Sequence, residues 1–146
     1  TFIEPDQRIR DIGVRLKFNP LPAVLEGQRV VVVDDSIVRG TTTPHVVNLI
    51  RQAGAREVHL RVCAPPIISP CYFGVDFATR AELVGANMTI PEICQFVGAD
   101  SLGYLTLDGL FKAMDAPPTN YCYGCFSGRY PIDIQLDLDK LILEKA

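Results

Sequence analysis

The chain has 146 residues, 48% apolar and 21% charged, a balance that suits one globular domain with a single core. Its longest unbroken apolar run, Val30–Val33, is far too short to cross a bilayer, and no basic segment leads into a long apolar stretch at the start; a cytoplasmic protein without membrane contact is expected. The net charge of −3 is unevenly split, with nine Lys/Arg against seven Asp/Glu in residues 1–61 and five against ten in 62–146. Arg8, Arg10, Arg15 and Lys17 crowd into one short basic segment, which suits a small polyanion; a nucleic-acid partner is not expected, because no long basic stripe interleaved with aromatics is present.

Thr1 stands where an initiator Met would, so a processed or excised piece is expected. A free threonine amine beside its hydroxyl suits an N-terminal nucleophile, but a cut site is the simpler reading. The first predicted element is Arg29–Asp34, a β-branched run apolar on both faces, as in a buried parallel strand. A Gly/Thr-rich turn follows, and a helix is predicted from Pro44, a residue tolerated in a first turn. Val46, Leu49, Ile50 and Ala53 form its apolar stripe, and Gly54 closes it. Val58, Leu60, Val62 and Ala64 then alternate with His59, Arg61 and Cys63 until Pro65 and Pro66 stop the strand, which completes a βαβ unit.

The remainder reads as helical. Thr79-x-x-Glu82 and Thr89-x-x-Glu92 have capping-box spacing. Ser101–Leu105 is a short predicted strand, and Leu107, Leu110, Phe111 and Met114 make a helical stripe. An amphipathic segment is predicted from about Asp133 to Glu144. Only one strong βαβ unit is legible, so the domain is expected to draw further strands from residues upstream of Thr1.

Two features carry chemistry. In the first, Asp34, Asp35, Ser36, Ile37, Val38, Arg39, Gly40, Thr41 and Thr42 join a strand's carboxyl end to a helix N-terminus. Backbone N–H groups and the helix dipole there attract an anion. Gly40 permits close backbone approach, Thr41 and Thr42 supply hydroxyls, and two adjacent acids can hold sugar hydroxyls or Mg²⁺. A plain polar turn whose acids cap the helix is the alternative. Neither a Walker loop nor the Rossmann glycine pattern is present.

The second feature is an odd set of five cysteines, Cys63, Cys71, Cys94, Cys122 and Cys125, which argues against a disulfide framework and for metal binding. Cys122-x-x-Cys125 alone is ambiguous between zinc, redox and iron–sulfur roles, and three unrelated buried thiols would give the same pattern. Cys71 is a third thiol in a Pro/Tyr/Gly loop. His45 and His59 read as solvated or capping histidines, since nothing nearby completes a catalytic set.

The run from Val30 through Asp34-Asp35-Ser36-Ile37-Val38-Arg39-Gly40-Thr41-Thr42 resembles the phosphoribosyl pyrophosphate (PRPP) signature of type I phosphoribosyltransferases, in the wording of the amidophosphoribosyltransferases. Gly13–Lys17, Ala64–Ile67, Pro70-Cys71, Tyr72–Asp76 and Gly98–Asp100 resemble the same family, so the likeness runs nearly end to end but covers only the back of that enzyme. It implies an α/β fold: part of a type I phosphoribosyltransferase parallel-sheet core over 1–115, with a flexible lid segment at 1–19 and a helical, cysteine-containing extension at 116–146. By position, Asp34 and Asp35 bind ribose hydroxyls and Mg²⁺, Ser36 to Thr42 cradle the 5′-phosphate, and Lys17 meets the pyrophosphate. The family makes 5-phosphoribosylamine from PRPP and glutamine-derived ammonia, the first step of de novo purine biosynthesis. It takes the ammonia from a glutaminase domain that this chain does not contain, and it is inhibited by purine nucleotides. A homo-oligomer is expected for the full-length enzyme, and little activity for this piece alone.

Within that family, Pro70-Cys71 ahead of Tyr-Phe-Gly-Val-Asp76, and Cys122-Tyr-Gly-Cys125 ahead of Phe-Ser-Gly-Arg-Tyr-Pro131, resemble the subclass that carries a [4Fe–4S] cluster. The resemblance makes Cys71, Cys122 and Cys125 three of four ligands and leaves Cys63 and Cys94 out. A non-catalytic PRPP-sensing regulator would share the loop, but is expected to lack the cysteines and to carry a DNA-binding module. A salvage phosphoribosyltransferase would usually have a Thr-Gly pair in the loop.

Overall fold

The computed structural model describes residues 18–75, 79–115 and 117–134. Lys17, the rest of the expected lid, and the predicted helix beyond residue 134 lie outside them. Three strands, β1 (Arg29–Asp34), β2 (Glu57–Val62) and β3 (Ser101–Tyr104), pair in the order β1-β2-β3. Both pairings are parallel, because the register advances in the same direction on each strand. Glu57 N–H donates to the Gln28 carbonyl and Cys63 N–H to the Asp34 carbonyl; Asp100 N–H donates to Val58 and Leu105 N–H to Val62. The parallel α/β expectation holds.

The contacts divide the chain into two units. The first comprises 1–33, 40–61 and 90–103. It contains the short helix α1 (Pro22–Leu25), most of the three strands, α2 (Thr43–Gln52) and α4 (Ile90–Val97). Helix α2 packs on α4, and Val47, Ala53, Ile93 and Val97 from the helices join Val58 and Leu60 from β2 in its buried core. Alternation in β2 is as predicted, with Val58 and Leu60 at 0% and 1% exposure. Gly54, at φ +94°, ends α2 by donating to the Arg51 carbonyl. The Asp100 carboxylate accepts from Val58 N–H at 2.7 Å and from the Arg51 guanidinium at 2.8 Å, tying the end of α2 to the start of β3. These bonds, Val58 N–H foremost, hold the Asp100 carboxyl below the usual aspartate value.

β1 departs from its prediction. Val31 and Val33 are 59% and 67% exposed, so the strand is not buried on both faces. Their side of the strand alternates with that of Val30 and Val32, which are partly covered. On the matching face of β2, Glu57 and His59 make a polar network. Arg29 Nε pairs with the Glu57 carboxylate at 2.6 Å, His59 Nε2 lies 3.0 Å from the same oxygen, and His59 Nδ1 lies 2.8 Å from Ser101 Oγ. An apolar run reads the same whether one face or two are covered, and here the helices bury one.

The second unit comprises 34–39, 62–89 and 104–146. Its buried side chains include Ile37, Val62, Ile67, Leu83 and Val84. Thr79 stands at a helix start, as its spacing suggested, but the helix is short. It forms a 3₁₀ turn, Arg80–Glu82, followed by the single-turn α3 (Val84–Asn87). Helix α5 (Leu107–Met114) follows its predicted stripe and is capped by Thr106, whose hydroxyl accepts from Gly109 N–H at 3.0 Å. A second 3₁₀ turn, Pro118–Asn120, leads to α6 (Gly124–Ser127). No helix among the described residues is long and apolar enough to cross a membrane.

Candidate functional site

Asp34 ends β1, and ligands of open α/β sheets bind beyond the carboxyl ends of the strands. Its carbonyl is held by Cys63 N–H at 2.9 Å, so the backbone below the acids is fixed by the sheet ladder. Both Asp34 and Asp35 are exposed. Asp34 Oδ1 accepts from Asp35 N–H at 3.0 Å, and Asp35 Oδ1 accepts from the Ser36 hydroxyl at 2.8 Å. Each carboxylate keeps an oxygen clear of these local bonds. Two adjacent, solvent-facing carboxylates are hard oxygen donors of the kind Mg²⁺ and sugar hydroxyls accept, so the residues fit that ion.

The next residues, within the second unit, are tightly seated. Ile37 is buried at 3% exposure, and the Val38 carbonyl accepts from Val84 N–H at 3.0 Å. Arg39 Nε donates to Glu82 Oε2 at 2.5 Å, while the Thr79 hydroxyl donates to the other oxygen, Oε1, at 3.1 Å. The Arg39 bond, the largest influence, holds the Glu82 carboxyl below its usual value. Arg39 therefore does not stand as an uncommitted cation for a phosphate. The Thr79-x-x-Glu82 spacing was visible in the sequence, but it signalled a helix start rather than a partner for Arg39.

In the first unit, Gly40 adopts φ +67°, a left-handed conformation that glycine takes without strain. Thr41 is exposed, Thr43 is buried, and α2 begins at Thr43 with Pro44 in its first turn. Thr42, its N-cap, makes no side-chain capping bond, which leaves its hydroxyl uncommitted to the helix end. In the alternative, the loop's acids cap the helix; the N-cap position is instead Thr42, and Asp34 and Asp35 accept from Asp35 N–H and the Ser36 hydroxyl.

The cysteine region lies in the second unit. Cys125 sits in the one-turn α6, not in an irregular loop, and its carbonyl accepts from Ile68 N–H and Ser69 N–H at 2.9 and 3.1 Å. The Tyr130 hydroxyl donates to the Pro70 carbonyl at 2.6 Å, and its ring meets Tyr72 edge-on at 5.2 Å. Gly124 is where that ring rests: a Cβ there would come within 2.6 Å of Tyr130 Cε1. These bonds carry Cys71 to the neighbourhood of Cys125. Burial raises the Cys125 thiol's pKa, and the nearby Cys71 and then Cys122 raise it further. Among the described residues no three His, Cys, Asp or Glu side chains are drawn together as a metal cage, and no disulfide is present. Thiols are nonetheless the side chains that an iron–sulfur cluster takes as ligands, so the residue types fit that group. Cys94 Sγ instead contacts the Ala99 carbonyl at 3.2 Å, and Cys63 falls just past the end of β2 rather than inside it.

At the end of β3, burial pushes the Tyr104 hydroxyl up to about 12, and that hydroxyl has no hydrogen-bond partner among the described residues. Its sequence context gave no sign of this.

No family model matches the chain. Curated relatives do. An amidophosphoribosyltransferase named as chloroplastic, from Glycine max, is 56% identical over 133 residues, covering 91% of this chain and 23% of the relative. Amidophosphoribosyltransferases of Methanocaldococcus jannaschii and Mycobacterium leprae are 53% and 46% identical, covering 94% and 99% of this chain and 29% and 27% of theirs. Among solved structures, the glutamine PRPP amidotransferase from B. subtilis complexed with ADP and GMP superposes with a TM-score of 0.78 at 45% identity, over 92% of this chain and 30% of that one. The chain thus spans between a fifth and a third of the length of the proteins it matches.

Proposed function

We propose that this chain, which corresponds over nine-tenths of its length to one segment of the amidophosphoribosyltransferases, supplies the PRPP site of such an enzyme. The enzyme makes 5-phosphoribosylamine, glutamate and pyrophosphate from PRPP, glutamine and water, the first step of purine biosynthesis. The observation that carries the reading is the Asp34–Thr42 loop, which leaves a parallel strand through two exposed acids and enters a helix through a left-handed glycine.

Displacing pyrophosphate from the anomeric carbon builds positive charge on the ribose and negative charge on the leaving group. Asp34 and Asp35 hold the ribose hydroxyls and Mg²⁺, which when bound neutralises the pyrophosphate. The 5′-phosphate rests against the backbone of Ser36 to Thr42 and the hydroxyls of Ser36, Thr41 and Thr42. Lys17, which lies outside the described residues, meets the pyrophosphate and offsets its charge. Ammonia, delivered by a glutaminase domain, is nucleophile enough to need no general base here.

Cys71, Cys122 and Cys125 hold a [4Fe–4S] cluster, with a fourth ligand from outside this chain, and the cluster's contribution is structural. Purine nucleotides are proposed inhibitors, supported by the ADP and GMP named for the B. subtilis structure. A cytoplasmic homo-oligomer is the proposed form, although the Glycine max relative is named as chloroplastic.

The test is phosphoribosylamine formation by the protein expressed from its complete reading frame, with Mg²⁺, PRPP and glutamine or ammonia. Binding of Mg–PRPP without amine formation would instead mark a PRPP-sensing protein, and no PRPP binding would remove the reading altogether.

A further inference from the structure

The seating of the phosphate loop is not a property of the loop alone. Two contacts join Val38 and Arg39 to the Thr79–Asn87 segment within one unit, the Val84 N–H bond to the Val38 carbonyl and the Arg39–Glu82 pair, and Ile37 beside them is buried. The Glu82 carboxylate is fixed from both sides, by Arg39 on one oxygen and by the Thr79 hydroxyl on the other. Its segment is locked in turn. The Asn87 side-chain amide donates to the carbonyls of Arg80, Ala81 and Leu83 at 3.2, 3.1 and 2.8 Å, and Leu83 is 1% exposed.

We propose that Glu82 is a positioning residue for PRPP: it draws the Arg39 guanidinium away from the phosphate cradle and so fixes the backbone on which the 5′-phosphate rests. The inference rests on the reading of this loop as the PRPP site. Two consequences follow from the geometry. Phosphate recognition falls to backbone N–H groups and hydroxyls, with Arg39 contributing its main chain. Residues Thr79, Glu82 and Asn87, forty or more positions beyond Arg39, then belong to the site's support. A preformed cradle lowers the ordering that binding must supply, so its loss is felt in substrate affinity before turnover.

The experiment is a double-mutant cycle on the protein expressed from its complete reading frame, with Arg39→Gln, Glu82→Gln and the pair. The cycle reads KM for PRPP, KM for glutamine and kcat. Glu82→Gln keeps the shape and removes the charge. Each side chain of the pair is about two-fifths exposed, so a bias of about three- to tenfold is expected rather than orders of magnitude. Each single variant raises KM for PRPP by that factor, leaves kcat within about twofold and spares KM for glutamine. The double variant is no worse than either single one. Thr79→Val, which removes only the orienting hydroxyl, raises KM for PRPP by a smaller factor and stands in if Glu82→Gln does not fold.

Additive effects in the double variant, or an unchanged KM for PRPP in Glu82→Gln and Thr79→Val, would overturn the positioning role. Asp35→Asn, measured alongside, separates that failure from failure of the underlying reading. If Asp35→Asn destroys PRPP binding while the cycle is flat, only the role of Glu82 falls. If Asp35→Asn is also indifferent, the PRPP site lies elsewhere.

Discussion

Replacing Gly124 by alanine puts a methyl group into the Tyr130 ring, with Cε1 only 2.6 Å from the new carbon. Neither side can yield cheaply. The Tyr130 hydroxyl is tied to the Pro70 carbonyl at 2.6 Å and its ring to Tyr72, while the neighbouring Cys125 carbonyl holds two N–H groups of the 68–69 backbone. Overpacking of this kind costs about 1–3 kcal/mol, and losing the tyrosine hydrogen bond about 1 kcal/mol more. A total of about 2–4 kcal/mol corresponds to roughly 30- to 700-fold faster local opening. Amide hydrogen exchange across residues 68–72 and 122–130 of the protein expressed from its complete reading frame measures it. Tyr130→Phe is the internal comparison: it loses the hydroxyl without adding volume, and is expected to speed exchange only about fivefold. Exchange in Gly124→Ala within about threefold of the unsubstituted protein would refute the argument that this glycine is a seat for the ring. The same variant should retain less iron, because the turn that carries Cys125 is displaced.

Asp35→Asn is expected to weaken Mg-dependent PRPP binding and to cut turnover by orders of magnitude while sparing glutamine hydrolysis; unchanged PRPP kinetics would remove Asp35 from the site. Anaerobically purified protein should be brown, with about four irons per chain; Cys122→Ser should abolish the colour and Cys94→Ser should not, and colourless protein carrying one zinc would overturn the cluster. For Asp100, the folded value lies below the ordinary 3.8, so its contribution is complete above that value and is lost as pH falls through the folded value. Unfolding temperature should therefore drop less steeply on acidification below about pH 4 in Asp100→Asn than in the unsubstituted protein, and identical slopes would show that the Arg51 and Val58 bonds do not favour the charged Asp100 carboxylate in the folded state over the unfolded one.

Much of the fold was legible because local signals agreed with the tertiary answer. The βαβ unit could be read from two runs of different period, with Gly54 at the turn. β1 was misjudged for a physical reason. Alternation is informative only when the two faces differ in polarity, and four consecutive valines carry no such contrast, so the exposure of Val31 and Val33 could not be foreseen. Thr79–Glu82 was legible only in part. The spacing marked a helix start, where the Thr79 hydroxyl does meet Glu82 Oε1, but nothing local signalled that Arg39 takes the other oxygen.

The candidate site divides along the same line. Residues whose role depends on the backbone at their own position, such as Asp34, Gly40 and Thr42, were legible, since strand end, left-handed turn and helix start all leave local marks. Groups that act through a distant partner were not. Glu82 reaches a residue 43 positions away, and Tyr130 reaches one 60 positions away. No periodicity encodes such pairs, because a single bond between two loops constrains neither loop's pattern. Yet these pairs decide what the legible residues can do. Arg39 reads from the sequence as one residue of the phosphate cradle, and the structure adds its bond to Glu82. Cys125 reads as one half of a Cys-x-x-Cys, and the bonds of its carbonyl to Ile68 and Ser69 tie it to the stretch that carries Cys71. In both places the residue types are local and the bonds reach far along the sequence: Glu82 lies outside the loop that holds Arg39, and Tyr130, within the cysteine motif, bonds to Pro70.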